Sequence, residues 1–350
     1  MDMDSNYTVD YMTYPDDETF CDREDNNAFG AQLSIFFYLI FVLSLLGNSL
    51  VLVILYKFEK MNTVTNIILV NLVASGLLFM FSLPFLGVYH QLSTWVFGRS
   101  MCKLVCSTYN LGFYSSILFL TLMTFDRYLA VVHALEAHRF RRRGYAIAAC
   151  VGVWLISILS CSKDLLVNDL RPYRGDESML CMKLDWSTWL NLELLDQWEL
   201  YIQLVVFFLF PLVVIVSCYT RIIMTVISSR VVSKFRTVRL IFVIVLFFFI
   251  CWAPYNVVFL LDSFKNKSCE QTNRLGYTLH LTRHLTYLYF CISPMFYTFV
   301  GRKFQNHFRL LLVTSMPWLR EHIRVSQSSK SSKIRKIEGG ELGTDRTNDS

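Results

Sequence analysis

Residues 111–143 have the sequence LGFYSSILFLTLMTFDRYLAVVHALEAHRFRRR, and this stretch decides the class of fold. Its first part, residues 111–125, is almost continuously apolar and is interrupted mainly by small polar residues. Asp126 and Arg127 then stand side by side, and a strip of basic residues and histidines follows. An apolar helix that ends in a charged pair and then in cations is typical of a membrane-spanning segment at its cytoplasmic border.

The composition of the whole chain supports this interpretation. Of its 350 residues, 54% are hydrophobic and only 17% are charged. A helix needs about 20 predominantly apolar residues to cross a bilayer. Seven such runs occur, at residues 31–57, 65–90, 102–126, 145–167, 199–227, 238–262 and 277–300. Helices satisfy their own backbone in lipid, and the runs are too long for alternating barrel strands. We therefore predict an all-α fold, a seven-transmembrane helix bundle.

The basic residues orient this bundle. Lys and Arg cluster in the connections after the first, third and fifth spans and after the last span, which places these loops in the cytoplasm. The first 25 residues are acidic and lack both the basic start and the apolar core of a cleavable signal peptide. The N-terminus is therefore expected outside and the C-terminus inside. The net charge of +6 indicates contact with anionic inner-leaflet lipid, and nucleic-acid binding is not expected.

This topology predicts four regions. An acidic extracellular tail covers residues 1–30, and the membrane domain covers residues 31–300. Residues 301–315 carry Phe304 and Phe308 beside basic residues, which indicates an amphipathic helix 8 on the membrane surface. Residues 316–350 lose the apolar periodicity and are expected to form a disordered cytoplasmic tail.

The cysteines divide by depth. Six lie within or near the apolar spans and are interpreted as small packing residues: Cys106, Cys150, Cys161, Cys218, Cys251 and Cys291. Cys21, Cys102, Cys181 and Cys269 fall on the oxidising outer side, where disulfides form. Four cysteines allow three sets of pairings. A metal site is not expected among them, because no CxxC spacing occurs.

Four motifs carry a resemblance to a known family. GNSLV at 47–51, FDRYLAVVHA at 125–134, CWAPYN at 251–256 and SPMFYTFVGRKF at 293–304 resemble the rhodopsin class of G-protein-coupled receptors. WVFGRSMCKL at 95–104, the stretch at 236–261 and the extra outer cysteine pair are similar to chemokine receptors, nearest the CC and XC groups, whether host or virus-encoded. The resemblance implies disulfides Cys102–Cys181 and Cys21–Cys269.

The resemblance also implies a switch on the inner side. In the family the acid and arginine of the DRY motif, here Asp126, Arg127 and Tyr128, help hold the inactive state, and the arginine moves inward when a G protein docks. We expect Asp126 to pair with Arg127. The remaining positions that match the switch are Trp252 and Pro254 at a helix kink, the packing residues Ile117, Pro211 and Phe248, and the inner tyrosines Tyr219 and Tyr297.

Two departures from the family pattern lie in the middle of the bundle. The family places Asp where this chain has Gly76, and Asn where it has Ser293. In the family those side chains, together with the residue at Ser116, help hold a sodium ion. An ion in a low-dielectric interior needs charge compensation. We therefore predict that no sodium binds here, with altered basal signalling or weakened G-protein coupling as the consequence.

A third departure lies in the ligand pocket. The resemblance implies a pocket that includes Trp95, Tyr109 and Tyr255, which match the family, whereas Leu86 and Phe37 replace a Trp and a Tyr. Arg283 replaces an acidic residue that in many members meets the basic ligand terminus. It is expected to pair with Glu199, with Asp262 or with an acidic ligand feature. His280 and His284 have metal-compatible spacing, but hydrogen bonding is the preferred interpretation.

The tails add expected partners. Tyr7, Tyr11 and Tyr14 lie among acidic residues, the setting in which family members carry sulfotyrosine, so the outer tail suits a small basic protein. Asn6 and Asn266 head glycosylation sequons on the outer side. In the family, serine-rich tails such as residues 326–333 are phosphorylated and recruit arrestin.

Two functions remain open. The resemblance implies a plasma-membrane chemokine receptor that couples to Gi-type G proteins, for leukocyte chemotaxis; the alternative is a decoy receptor that scavenges chemokine without G-protein signalling. The intact DRY motif favours the first, whereas Gly76, Ser293 and Arg283 keep the second open. The chain is not expected to be an enzyme or to need a cofactor, because it has no nucleophile–base constellation.

Overall fold

The computed structural model describes residues 27–59, 62–134, 136, 141–172, 178–184, 191–228, 232–264, 269–299, 302–315 and 318. Within these ranges the chain is helical apart from one two-stranded sheet. In chain order the helices are α1 Asn27–Phe58, α2 Val64–Phe81, α3 Leu83–Leu92, α4 Gly98–Val132, α5 Arg143–Cys161, α6 Asp164–Val167, α7 Leu192–Tyr201, α8 Phe210–Ser228, α9 Val232–Asp262, α10 Cys269–Phe299 and α11 Arg302–Ser315.

The predicted seven-helix fold is confirmed. Five stretches of the described chain are long and apolar enough to cross a membrane: Ser34–Phe58, Val64–Leu92, Gly98–Val132, Arg143–Val167 and Leu192–Ser228. The sixth and seventh spans correspond to α9 and α10, which are 31 residues each. At 1.5 Å per residue a helix of this length extends roughly 46 Å, more than the hydrocarbon thickness.

The second span is broken, whereas the sequence predicted one continuous helix. The break falls at Ser82, between α2 and α3, and Pro84 lies in the first turn of α3. Proline has no backbone N–H and clashes with the preceding turn, so the helix cannot continue unchanged through it. Beyond the break, α3 packs on α1, where the Ser34 hydroxyl donates to the Gly87 carbonyl at 2.8 Å.

The fifth span also departs from a regular helix. Residues Ile202–Leu209 between α7 and α8 form a π-helical segment, in which the Phe210 N–H donates to the Val205 carbonyl. The wider turn lies directly before Pro211. Gln203, inside this segment, is buried and donates to the Asn256 side-chain oxygen of α9 at 3.2 Å. Such segments often occur at functional positions in helices, and this one joins the fifth span to the sixth.

The third span, α4, lies at the centre of the bundle. Its middle residues are buried almost without interruption, and it packs against α2, α5 and α8. Gly112 permits the close approach of α2. A Cβ atom at this position would lie 2.4 Å from the Phe79 backbone nitrogen. Only the absence of a side chain lets the two backbones come this near.

A β-hairpin covers the outer end of α4. Strand β1, Asn168–Pro172, pairs antiparallel with β2, Met179–Lys183, and Leu170 lies opposite Cys181. The disulfide Cys102–Cys181 ties β2 to α4, which confirms one predicted bridge. The second, Cys21–Cys269, stays a prediction because Cys21 lies outside the described residues. This hairpin was not among the elements expected from the sequence.

Helix α11 follows the seventh span at the inner side. Its residue His307 lies 3.5 Å from a Glu59 carboxylate oxygen and stacks on Phe58, with ring centroids 5.0 Å apart. Both partners belong to the end of the first span. These contacts hold α11 against the bundle, whereas its placement on a membrane surface remains a prediction.

Candidate functional site

The inner end of the third span contains a buried ion pair, but not the expected one. Asp126 is 3% exposed and accepts from the Arg141 Nε at 2.7 Å and from its Nη2 at 3.2 Å. The Thr65 hydroxyl of α2 donates to the second carboxylate oxygen at 2.7 Å. Asp126 therefore joins the second span to the loop after the third.

The expected pairing of Asp126 with Arg127 was wrong, and helix geometry gives the reason. Adjacent residues on a helix point about 100° apart and do not face each other. Among the described residues no carboxylate pairs with Arg127. Tyr219 on α8 is buried in the same inner half of the bundle. Adjacency in sequence suggested Arg127 as the partner of Asp126, whereas the actual partner, Arg141, lies in the basic strip after the helix.

Tyr128 and Tyr297 complete the predicted inner group. The Tyr128 hydroxyl lies 2.9 Å from the His133 Nε2 within the same region of α4. The side chain of Tyr297 lies outside the described residues. Asp126, Arg127, Tyr128 and Tyr219 are thus the predicted inner residues that the structure describes.

An aromatic core connects the inner and outer halves of the bundle. Trp252 is fully buried, with its ring centroid 4.4 Å from Phe113 and 5.6 Å from Phe248. Ile117 and Pro211 belong to the same buried region. The residues that the resemblance assigned to a packing switch therefore lie together, next to the proline-containing part of α9.

The site expected to lack sodium is neutral and largely satisfied. The Ser116 hydroxyl donates to the Ser75 hydroxyl at 2.9 Å, and Ser75 donates to the Leu72 carbonyl at 2.8 Å. The buried Asn48 Oδ1 has no hydrogen-bond partner in the described chain and faces Gly76, where a Cβ would lie 3.7 Å away. Without a carboxylate, these residues do not fit a sodium ion.

We expect sodium to have no specific effect on the natural chain. The variant Gly76→Asp/Ser293→Asn restores the charge and the amide. Sodium at roughly thirtyfold above its Kd should stabilise this variant by about 2 kcal/mol, since a ligand that binds only the folded state stabilises it. Thermal unfolding of the purified protein in NaCl and in choline chloride at equal ionic strength checks this. Sodium-specific stabilisation of the natural chain would contradict the prediction, and basal cAMP suppression by both forms tests the effect on signalling.

The outer pocket is formed by tyrosines around Arg283. The guanidinium carbon of Arg283 lies 5.9 Å from the Tyr255 ring centroid. The hydroxyl of Tyr109 donates to that of Tyr287 at 3.2 Å. Tyr287 was absent from the sequence-predicted set, although its position four residues after Arg283 on one helix places both on the same face.

Trp95, predicted to line this pocket, lies elsewhere. It is 3% exposed and packs with Cys102 and Val105 beneath the hairpin. Its indole N–H donates to the Gly98 carbonyl at 2.9 Å, and its backbone N–H donates to the Met179 carbonyl at 2.7 Å. Trp95 therefore supports the hairpin, and its ring contacts among the described residues are with Tyr89 and Phe97 rather than with Tyr109, Tyr255 or Tyr287.

Two acidic residues of the described outer half, Glu199 and Asp164, already have cationic partners. Glu199 pairs with Lys163 at 2.8 Å and also with Lys183, which in turn lies near Asp196. Asp164 is 1% exposed, accepts from Asn110 at 2.7 Å and lies 3.4 Å from Lys163. The expected Arg283–Glu199 pair is therefore wrong. No carboxylate of the described chain, including Asp262, lies within salt-bridge distance of Arg283, so the acidic ligand feature is the remaining option.

A further ion pair, between Arg99 and Asp169, steadies the hairpin. Arg99 donates from Nε and Nη2 to the two Asp169 carboxylate oxygens at 2.6 and 2.5 Å. This hydrogen bonding holds the pKa of Asp169 below its usual value. Because the pKa is lowered in the folded chain, the contribution of this pair is present at neutral pH and is lost as the pH falls through that pKa.

Several predicted site residues lie outside the described part of the chain. They are the tail residues Asn6, Tyr7, Tyr11, Tyr14 and Cys21, the loop residue Asn266, and the side chains of Cys269, His280, Ser293 and Tyr297. Their roles remain predictions. His284 is described and packs against Phe36, Phe37 and Tyr287.

A bundle of this kind, with an outer pocket and an inner Asp–Arg site, defines a class of membrane receptor. The family model "7 transmembrane receptor (rhodopsin family)" matches residues 47–297. The human C-C chemokine receptor type 1 is 35% identical over 364 residues, covering 96% of this chain and 99% of that receptor. The guinea-pig C-C chemokine receptor type 3 is 36% identical, and the match covers 81% of this chain and 79% of that receptor. The human C-C chemokine receptor type 8 is 34% identical, and the match covers 88% of this chain and 86% of that receptor. This chain therefore belongs to the rhodopsin family of seven-transmembrane receptors and, within it, to the chemokine receptors.

Proposed function

We propose that this protein is a plasma-membrane receptor that binds a basic chemokine and activates a Gi-type G protein, and that this signalling directs leukocyte chemotaxis. The observation that carries the proposal is the continuous buried path between its two ends. Tyr109 and Tyr255 of the outer pocket adjoin Phe113, which packs on Trp252 above Phe248. A ligand that moves the pocket therefore displaces the packed residues beneath it, because interiors are close-packed.

The inner end supports coupling to a G protein. Asp126 pairs with Arg141 rather than with Arg127, and Tyr219 is buried in the same inner half of the bundle. In the family the corresponding arginine and tyrosine meet when the receptor is active. Arrestin binding to the phosphorylated tail and contact of α11 with inner-leaflet lipid complete the proposed inner partners.

The outer tail is proposed to capture the chemokine first. Residues 1–25 carry nine acidic residues against Arg23 alone, together with three tyrosines suited to sulfation. Such an anionic strand attracts a basic protein over a distance and raises the rate of association. The pocket then receives the part of the chemokine that reaches into the bundle.

The triple variant Tyr7→Phe/Tyr11→Phe/Tyr14→Phe tests tail capture. Phenylalanine cannot be sulfated, so up to three charged groups are lost while the ring remains. We expect chemokine affinity to fall about tenfold or more, mainly through slower association at low salt. The control Tyr145→Phe changes an exposed tyrosine near the cytoplasmic end of α5 and should leave binding unchanged. Equal affinities of the natural chain and the triple variant would contradict tail capture.

The decoy function remains a second candidate, and one observation favours it. Gly76 stands where family members have a carboxylate that relays the signal, so the described residues around Asn48 offer no negative charge at this depth. Labelled chemokines are screened for binding, and Gi activation and arrestin recruitment are then measured on the same cells. Binding with Gi activation supports the signalling receptor. Binding and uptake without Gi activation support the decoy, and no binding across the panel rejects both.

A further inference from the structure

We propose that the pocket around Arg283 binds a carboxylate group, so that the ligand presents an acidic rather than a basic group to helix α10. The inference deepens the proposed function, since it concerns the ligand pocket of the same receptor. It rests on three observations: an arginine without a carboxylate partner among the described residues, an aromatic enclosure and the absence of an available acid in the described part of the pocket.

The first observation is the state of Arg283. Its side chain comes from the outer half of α10, and its Nε is buried with no hydrogen-bond acceptor among the described residues. No described carboxylate lies within salt-bridge distance. A guanidinium has five N–H donors and cannot be deprotonated, so it requires acceptors when it is removed from water. A charge held this way inside a membrane protein usually marks a ligand or ion site.

The second observation is the enclosure. Tyr255 presents its ring face to the guanidinium, and Tyr109 and Tyr287 bring two further phenol groups close by. Cation–π contact orients the arginine without neutralising its charge. Phenol hydroxyls are also donors to an anion. The enclosure therefore suits a carboxylate that is attached to an apolar or aromatic group.

The third observation concerns the opposite wall. Glu199 and Asp164 are engaged by Lys163, and Glu199 also by Lys183. A basic ligand group would have to displace one of these lysines. The histidines His90 and His284 pack against the same aromatic group and carry no negative charge. The described pocket thus offers positive charge on α10 and no free negative charge across from it.

The probes are 4-phenylbutanoate and its neutral counterpart 4-phenylbutanamide, which have nearly the same shape. Their apparent affinities come from the concentration dependence of thermal unfolding of the purified full chain in lipid nanodiscs. We expect the carboxylate to bind at least tenfold more tightly than the amide, because a charge-assisted hydrogen bond to arginine is made by the anion alone. Equal affinities would overturn the proposal.

Variants locate the effect. Arg283→Gln should remove the preference for the carboxylate, and Arg283→Lys should retain part of it. Arg274→Gln serves as the matched control, because Arg274 is an exposed arginine on the same helix, and it should retain the full preference. A preference that survives in Arg283→Gln, or that is lost in Arg274→Gln, places the carboxylate elsewhere and overturns the assignment. Unfolding temperatures without probe identify any variant that fails to fold, and Arg283→Lys then decides the outcome.

The carboxylate has two potential sources, the ligand and the acidic N-terminal segment of the chain. In the variant Asp16→Asn/Asp17→Asn/Glu18→Gln the probe should bind more tightly if these residues fill the site and unchanged if the ligand does. The chemokine screen does not depend on the probe measurements or on the variant of the N-terminal segment. Chemokine binding without a carboxylate preference rejects this inference alone, whereas a carboxylate preference without chemokine binding rejects the proposed function alone.

Discussion

Replacing Arg141 by glutamine will destabilise the receptor by about 3 kcal/mol, because it leaves Asp126 buried without its cation. The Asp126 carboxylate is 3% exposed and retains only the Thr65 hydroxyl as a partner in the described chain. Removing one member of a buried ion pair costs far more than removing both, since the remaining charge is desolvated and uncompensated. Thermal and chemical unfolding of the purified receptor measures the loss.

Two comparisons make this prediction specific. Arg127→Gln should cost less than about 1 kcal/mol, because Arg127 does not neutralise Asp126, yet it should abolish Gi activation if the proposed role is right. Arg143→Gln is the matched control, since Arg143 is exposed and forms no ion pair within the described residues. A cost for Arg127→Gln equal to that for Arg141→Gln would show that Asp126 pairs with its neighbour after all.

The double variant Asp126→Asn/Arg141→Gln isolates the interaction between the two side chains. It should be more stable than Arg141→Gln alone, because a neutral amide has a smaller desolvation cost than an unpaired carboxylate. The coupling free energy from the four-member cycle should be about 1–3 kcal/mol. A coupling near zero would mean that the observed contact contributes nothing to folding.

Replacing Gly112 by alanine will cost about 3 kcal/mol or more and will weaken ligand binding. The new Cβ would lie 2.4 Å from the Phe79 backbone nitrogen and 2.7 Å from its Cα. A backbone cannot rotate away as a side chain does, so α2 and α4 must separate. Tyr109 and Phe113 flank the same contact, with ring centroids 5.0 and 6.2 Å from Phe79, so the outer pocket deforms with it.

Gly152→Ala is the control for this substitution. Gly152 also lies in a membrane-spanning helix, α5, but a Cβ there would meet no atom within 4 Å. Alanine should be neutral or stabilising by up to about 1 kcal/mol at such a position, because glycine disfavours helices. Unfolding temperature and chemokine affinity are measured for both variants. Equal tolerance of alanine at 112 and 152 would show that the two backbones are farther apart than the structure has them.

The sequence predicted the spans better than their interruptions. Length and apolarity alone place the seven helices, because lipid forces the backbone to satisfy itself within each segment. The break at Ser82 could have been predicted from Pro84, because proline disfavours a continuous helix. The π-helical segment has no such signal, since Pro211 alone does not specify which turn widens.

The sequence predicted which residues belong to the candidate site better than it predicted the contacts between them. Phe248, Trp252 and Ile117 lie together as the resemblance implied. Trp95 matches the family pattern but lies beneath the hairpin, because the backbone of Met179 and the disulfide hold that loop over it. The partner of a charged side chain depends on which residues, distant in sequence, lie beside it in the folded protein. A local sequence pattern does not determine those contacts.

By itself, the sequence determined that this protein crosses a membrane seven times with its acidic end outside, because hydrophobic length and the distribution of Lys and Arg decide insertion. Only the tertiary structure decided that Asp126 is neutralised by Arg141 and that Arg283 faces tyrosines with no acid beside it among the described residues. The physical reason is that charges pair across space. Helix rotation and loop placement bring Arg141 to Asp126 and direct Glu199 toward Lys163 and Lys183 instead of Arg283.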